Sequence, residues 1–305
     1  MNPATPIAVL DEPAVQRLLH YEELIPAVAQ ALADLSAGSV VQPVRVVLPI
    51  APHQGFFAVM PAYAGAMGAK LVTFYPGNQG IPTHHAVIVL FRAETGEPLA
   101  MMDGRLITEM RTAAASAVAT QHLARANAHV LAVLGSGVQA QSHLEALRHV
   151  RPFAEVRVWS PRHARTFAER HGATVTATPE QAVRGADVVV VATSATTPVL
   201  FGRWLSPGTH VNAVGATRPN WRELDDDLVT AARVFVDSRE AALKESGDVM
   251  AAREVAAEIG AVVAGVHPGR GSPDETTLFK SVGVAVEDVA AAALVYQAHQ
   301  RAHDA

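Results

Sequence analysis

The chain contains no cysteine. Disulfides, thiolate metal sites and thiol nucleophiles are thereby excluded. Charge is sparse as well: Asp, Glu, Lys and Arg make up 17% of residues, the net charge is -5, and no basic block occurs. That balance argues against nucleic acid as a partner. No uncharged apolar run approaches the roughly 20 residues needed to span a bilayer, so no membrane partner is expected. The opening residues, MNPATPIAVLDEPAV, lack the basic start and apolar core of a secretory leader, and a cytoplasmic location is the expectation. H-E-x-x-H, P-loop and G-x-S-x-G patterns are missing, as are internal repeats and low-complexity segments. No metal is expected.

What is present is a globular composition. Half of the 305 residues are apolar, and the length suits two domains better than one core. Residues 11–38 read as helical: Asp11 caps the first turn, Leu24, Ile25, Val28, Leu32 and Leu35 recur at helical spacing, and Gly38 stops the run. Residues 40–100 read as β-rich pieces separated by Pro and Gly, with a hairpin turn at AETGEPL. Residues 105–126 are alanine-rich and helical. From 129 the pattern alternates. HVLAVLG, EVRVWS, TVTA, DVVVVAT, HVNAVG and RVFVD read as strands, with VQAQSHLEALRHV, PRHARTFAERHG and TPEQAVRGA as helices among them. GRGSPDETTLFKSVG reads as a loop before a last helix over 284–302. The alternation makes the fold class α/β, with a parallel sheet and helices on both faces.

One turn in this region carries chemistry. GSGVQA places Gly135, Gly137 and Ala140 in the G-x-G-x-x-A pattern, after an apolar strand and at the start of a helix. Gly135 makes the tight turn, Gly137 admits a pyrophosphate, and Ala140 lets helix and strand approach. The helix N-terminus, with Ser136, Val138 and Gln139, offers N–H groups to the phosphates. A dinucleotide site is the reading. About 20 residues further on, a carboxylate would hold the ribose 2′-hydroxyl of NAD. The sequence has Ser160 and Arg162 there and no acid. A hydroxyl and a guanidinium suit a 2′-phosphate, so NADP(H) is favoured and NAD(H) is the alternative.

Three cations stand in apolar surroundings ahead of that region: Arg45 in PVRVVLP, Lys70 in GAKLVTF and Arg111 in ITEMRTAAASA. Singly, each reads as a surface charge on a buried stem. Together, with few acids nearby in sequence, they would form an anion site if they converged. Lys70 between two arginines would then have a lowered pKa and could move a proton near neutrality.

The segments GAKLVTFYPGN, TEMRTAAASA, VLGSGVQAQSH, VNAVGATRPNWRELDDDL, VFVDSREAALKESGD and TLFKSVGVAVED resemble the ornithine cyclodeaminase/mu-crystallin family over nearly the whole chain, and most of all its mu-crystallin-type ketimine reductases. The resemblance implies a Rossmann-type NAD(P)-binding domain over 112–289. It also implies an α+β substrate-binding and dimerisation domain built from both chain ends, 1–111 with 290–305, in a homodimer. It makes Arg45, Lys70 and Arg111 the binders of a substrate carboxylate, with Lys70 near the reacting carbon. Thr193 and residues Val214, Gly215 and Ala216 would lie along the cofactor near the nicotinamide, with Phe279 and Lys280 capping that end. Ornithine cyclodeaminases carry an aspartate where this chain has Thr217, which cannot serve as a carboxylate base or counter-ion. Thr217 would instead sit in the substrate site.

Other polar features have plainer readings. Asp225, Asp226 and Asp227 suit the first turn of a helix. His84 and His85 are adjacent on a strand and face opposite ways. Trp159 and Trp221 suit packing, and residues 242–248 a helix end with a polar turn. The leading functional reading is an NAD(P)H-dependent reductase of α-imino acids or cyclic ketimines such as pyrroline-2-carboxylate, reversible as an amino-acid dehydrogenase. Its partner is a small imino or amino acid. The alternatives are an ornithine cyclodeaminase and a non-catalytic protein that holds NADPH and a small ligand.

Overall fold

A computed structural model describes residues 6–304. Residues 1–5, part of the stretch read above against a leader, lie outside the described residues, as does residue 305. The chain divides into two compact units: Met1–Arg111 with Val284–Ala305, and Thr112–Gly283. The second piece of the first unit thus begins at Val284, ahead of residue 290.

The first unit is built on a six-stranded sheet. Its strands are β1 (Ala8–Leu10), β2 (Val46–Ile50), β3 (Gly55–Ala64), β4 (Ala66–Phe74), β5 (His84–Phe91) and β6 (Pro98–Asp103), in the order β1-β6-β5-β4-β3-β2. From β2 to β6 the strands form an antiparallel meander, and β1 runs parallel to β6. The AETGEPL turn joins β5 to β6, with Gly96 at φ +77°. The helical run at the front is two helices, α1 (Glu12–Leu18) and α2 (Tyr21–Ser36). Asp11 caps α1 by accepting from Ala14 N at 3.0 Å. Extended backbone at Leu19 and His20 separates α1 from α2. The apolar stripe of α2 packs against the C-terminal helix, Ala285–Asp304, which also lies on β3, β4 and β5. On the inner face beneath that helix, Gly68 leaves no room for a side chain: a Cβ there would meet Val89 O at 2.7 Å and Leu90 Cδ2 at 2.9 Å. Lys70 shares this inner face, because alternate residues of a strand point the same way.

The second unit is an eight-stranded, all-parallel sheet. Helix α3 (Arg105–Leu123) runs into it from the first unit. The strands are β7 (Val130–Leu134), β8 (Glu155–Trp159), β9 (Thr174–Val175), β10 (Val188–Val191), β11 (His210–Ala213), β12 (Arg233–Val236), β13 (Ala257–Glu258) and β14 (Thr277–Lys280). Their order is β13-β12-β14-β11-β10-β7-β8-β9. Strands β7 and β10 are apolar and buried throughout, as strands covered on both faces must be. The order reverses between β7 and β10, the switch point at which doubly wound sheets bind ligands. Residues read as a loop before the last helix include β14, a central strand paired with β11 and β12. Four fully buried residues, TLFK, give no alternation by which a strand could be recognised.

Candidate active site

Two of the three expected cations meet at one carboxylate in the first unit. Lys70 Nζ lies 2.6 Å from Asp288 Oδ2. Arg111 holds the same carboxylate, with Nε 2.9 Å from Asp288 Oδ1, and reaches Glu287 Oε2 with Nη1 at 2.6 Å. Lys70 is 2% exposed and Arg111 5%. Arg45 is half-buried just ahead of β2, close enough for its charge to act on Lys70. Gln42 anchors that segment, accepting from Val286 N at 2.9 Å. Burial pushes the Lys70 ammonium down to about 8; Asp288 opposes the shift, while Arg111 and then Arg45 add to it. Burial disfavours the Asp288 carboxylate too, but Arg111 and Lys70 outweigh that and hold it below its usual range. Lys70 and Arg111 thus face two buried carboxylates, Glu287 and Asp288, and the charge of Arg45 also acts on Lys70.

Glu287 and Asp288 were not among the residues singled out from the sequence. They stand in the first turn of the C-terminal helix, where acids are ordinary. The sparse acids around the three cations in sequence are thus made up by the far end of the chain.

In the second unit the glycine-rich turn joins β7 to α4 (Val138–Arg148). Gly135 has φ +122°, and a Cβ there would lie 2.2 Å from Ala192 O, so only glycine fits. A Cβ at Gly137 would meet nothing within 4 Å, which leaves the ground before the helix open. Gly137 is the N-cap and supplies no side chain to the first-turn N–H groups. Val138 is 55% exposed there. Ala140 is fully buried. These features fit a dinucleotide pyrophosphate. Gln139 O lies 2.7 Å from His143 Nδ1, and His143 Nε2 lies 2.9 Å from Ser116 Oγ on α3, which fixes the helix. At the end of β8, Ser136 Oγ donates to Ser160 Oγ at 2.8 Å. Arg162 is exposed in the turn that follows, and the next helix begins only at Ala164.

Beyond the switch point, Thr193 N and Oγ1 both donate to Glu223 Oε1, at 2.9 and 2.6 Å. Gly215 lies against the same carboxylate, where a Cβ would come within 2.3 Å. Lys280 is fully buried. Its Nζ donates to Gly215 O at 3.0 Å and lies 3.3 Å from Asp248 Oδ2. Its charge is therefore spent on the protein. Phe279 is buried within β14. Glu223 and Asp248 are further residues not singled out as a site: one borders an acidic run, the other ends a polar turn.

A family model described as "Ornithine cyclodeaminase/mu-crystallin family" matches residues 7–303. The chain belongs to that family. Within it, the chain is 50% identical over 288 residues to the ketimine reductase mu-crystallin of Mus musculus, covering 90% of this chain and 91% of the relative. The Δ1-pyrroline-2-carboxylate reductase of Thermococcus litoralis, solved with NADH and L-proline, superposes with a TM-score of 0.93 at 36% identity, covering 97% of this chain and 98% of that one. An archaeal alanine dehydrogenase dimer with bound NAD gives a TM-score of 0.92 at 36% identity, covering 97% of each chain. The fold is thus the Rossmann-type α/β fold of these cofactor-binding relatives.

Against this family background the remaining residues take their places. Thr217 is half-buried in the loop after β11, next to Ala216, whose φ is +29°. Val214 opens that loop, its N donating to Val191 O at 3.0 Å. Asp225 is a helix N-cap: its Oδ1 accepts from Leu228 N at 3.1 Å and from Gly202 N at 2.8 Å. Phe74 stacks near the ring of His84 at 4.5 Å, and both His84 and His85 are exposed. Among the described residues no group of three or more acidic or histidine side chains is placed to hold a metal. No described helix is long and apolar enough to cross a membrane.

Proposed function

We propose that this chain is an NAD(P)H-dependent reductase of α-imino acids, acting on cyclic ketimines of the pyrroline-2-carboxylate kind and, in reverse, as an amino-acid dehydrogenase. The observation that carries this is the Lys70 ammonium, buried with Arg111 on the Asp288 carboxylate and lowered to about 8. Arg45 and Arg111 bind the substrate carboxylate. Lys70, or a water it holds, delivers a proton to the imine nitrogen and retrieves it in the reverse direction. When bound, the reduced dinucleotide supplies the hydride that forms the new C–H bond as the C=N π bond opens. Gly135, Gly137 and the first turn of α4 receive its pyrophosphate, and Thr193, Val214 and Gly215 line its path. Thr217 offers a hydroxyl in place of a carboxylate, which disfavours a substrate with a distant amine.

NADP(H) is the preferred dinucleotide on this reading. Ser160 and the exposed Arg162 follow β8 where a carboxylate would repel a 2′-phosphate.

The proposed assembly is a homodimer through the outer face of the first unit's sheet. Val9, Leu48, Leu71, Val87 and Met101 share that face and are exposed. Apolar surface of this kind marks an interface, and a second copy of the chain is its proposed occupant; the archaeal alanine dehydrogenase relative is likewise a dimer.

A spectrophotometric screen of NADPH and NADH oxidation against cyclic and acyclic imino acids tests the reaction. Fastest turnover with a cyclic ketimine is expected. Ammonia release from ornithine without net cofactor consumption would point instead to a cyclodeaminase, and cofactor binding without any turnover to a binding protein.

A further inference from the structure

We infer that Glu223 is a positioning residue for the nicotinamide half of the cofactor: its buried carboxylate holds the loop leaving β10 and packs against the loop leaving β11, and so aligns the ring that those loops face. This rests on the dinucleotide reading above.

In a doubly wound sheet the cofactor crosses the carboxyl ends of the strands, with its pyrophosphate at the first glycine-rich turn and its other half beyond the switch point. That far side is formed here by the ends of β10, β11 and β14. The partners of the Glu223 side chain all sit on this edge. Oε1 takes both donors of Thr193, just past β10. The carboxylate fills the space that a Cβ at Gly215, just past β11, would need. Lys280, the last residue of β14, donates to Gly215 O at 3.0 Å and stands 3.9 Å from Glu223 Oε2. The backbone of Glu223 is held in turn: its N and that of Leu224 donate to Asp248 Oδ1, at 3.1 and 3.2 Å. Arg222 Nε binds the same oxygen at 3.1 Å. The Glu223 carbonyl accepts from Val199 N and Leu200 N at 2.9 and 3.0 Å, which draws in the chain that follows the Thr193 loop.

Glu223, Asp248 and Lys280 are all fully buried or nearly so. Buried ions are a poor way to gain stability, since apolar residues of equal volume do as well or better. What the carboxylate supplies, and an apolar residue could not, is a directional hold on the β10 loop through Thr193 while it packs against Gly215 of the β11 loop, whose carbonyl Lys280 holds. Both loops lie at the edge that receives the ring, and neither belongs to the apolar core beneath it.

The test compares wild type, Glu223→Ala and Glu223→Gln by NADPH affinity, anisotropy of bound NADPH emission, kcat and KM for the imino acid, and melting temperature. Glu223→Ala is expected to bind NADPH within about threefold of wild type, because the pyrophosphate turn is untouched. Its bound NADPH should show lower anisotropy, and kcat should fall by roughly 10²-fold with KM little changed, as misplacement without lost binding predicts. Glu223→Gln keeps an acceptor for Thr193 and should recover most of both. Wild-type anisotropy and kcat in a folded Glu223→Ala would overturn the inference. Should that variant not fold, Thr193→Val removes one arm of that hold and must lower the anisotropy; an unchanged value there overturns it equally. A wild type that turns over no imino acid would refute the proposed reaction, and the anisotropy comparison would still decide this inference.

Discussion

The proton on Lys70 is held by opposing influences. Burial and two guanidinium groups favour its loss, and Asp288 retains it. If protonated Lys70 supplies the imine nitrogen, kcat/KM for imine reduction should be level at low pH and fall as pH rises through about 8. The reverse oxidation needs the neutral amine, so its kcat/KM should climb through the same pH and then level. Lys70→Ala should lower kcat by roughly 10²- to 10⁴-fold and abolish that inflection, with dinucleotide affinity unchanged. Turnover and pH profiles in both directions, with binding measured separately, check this. Near-normal turnover would remove Lys70 from the mechanism. At this scale Lys70 and Arg111 were legible, because cations inside apolar strings stand out. Their acid partners were not. Glu287 and Asp288 lie 176 and 177 residues from Arg111, and an acid in a helix's first turn carries no mark of what it will meet.

Among the elements, those with a strong local signature were legible. The switch from β7 to α4 turns on Gly135, whose conformation and clearance no other residue satisfies, and the acidic run opens a helix as read, with Asp226 and Asp227 in the first turn and Asp225 as the N-cap. Short buried pieces were not: β14 lacks any periodicity, and the helix after β8 starts later than Pro161 suggested. The second difference matters for cofactor choice. Pro161, Arg162 and His163 form a turn, so Arg162 is an exposed turn residue and its side chain is not committed to a helix face. Arg162→Ala should weaken NADPH by roughly 10-fold or more, the worth of one charge-assisted hydrogen bond, and leave NADH within about twofold. Fluorescence titration of both cofactors against wild type and variant gives the comparison. Equal weakening of the two would show that the residue does not contact the 2′-phosphate.

For the whole molecule, the α/β class and the nucleotide-binding half follow from strand–helix alternation, but the sheet of the first unit has two faces with different fates that the alternation of its strands does not distinguish. Along β4, Lys70 turns inward to the C-terminal helix while Leu71 turns outward to solvent. The outer residues are as apolar as a core: Val9 is 69% exposed, Leu48 50% and Met101 42%. Such a face marks an interaction surface, and an isologous dimer of the proposed kind would cover it with its own copy. Leu71→Arg combined with Met101→Arg places like charges on both copies of such an interface, where they repel and lose solvation. Light scattering should then report the mass of one chain where the wild type gives that of two, while Leu71→Met with Met101→Leu, which keeps the face apolar, should leave the mass at two. A wild type that runs as one chain at micromolar concentration, or a doubly charged variant that still pairs, would mean that this face has another occupant.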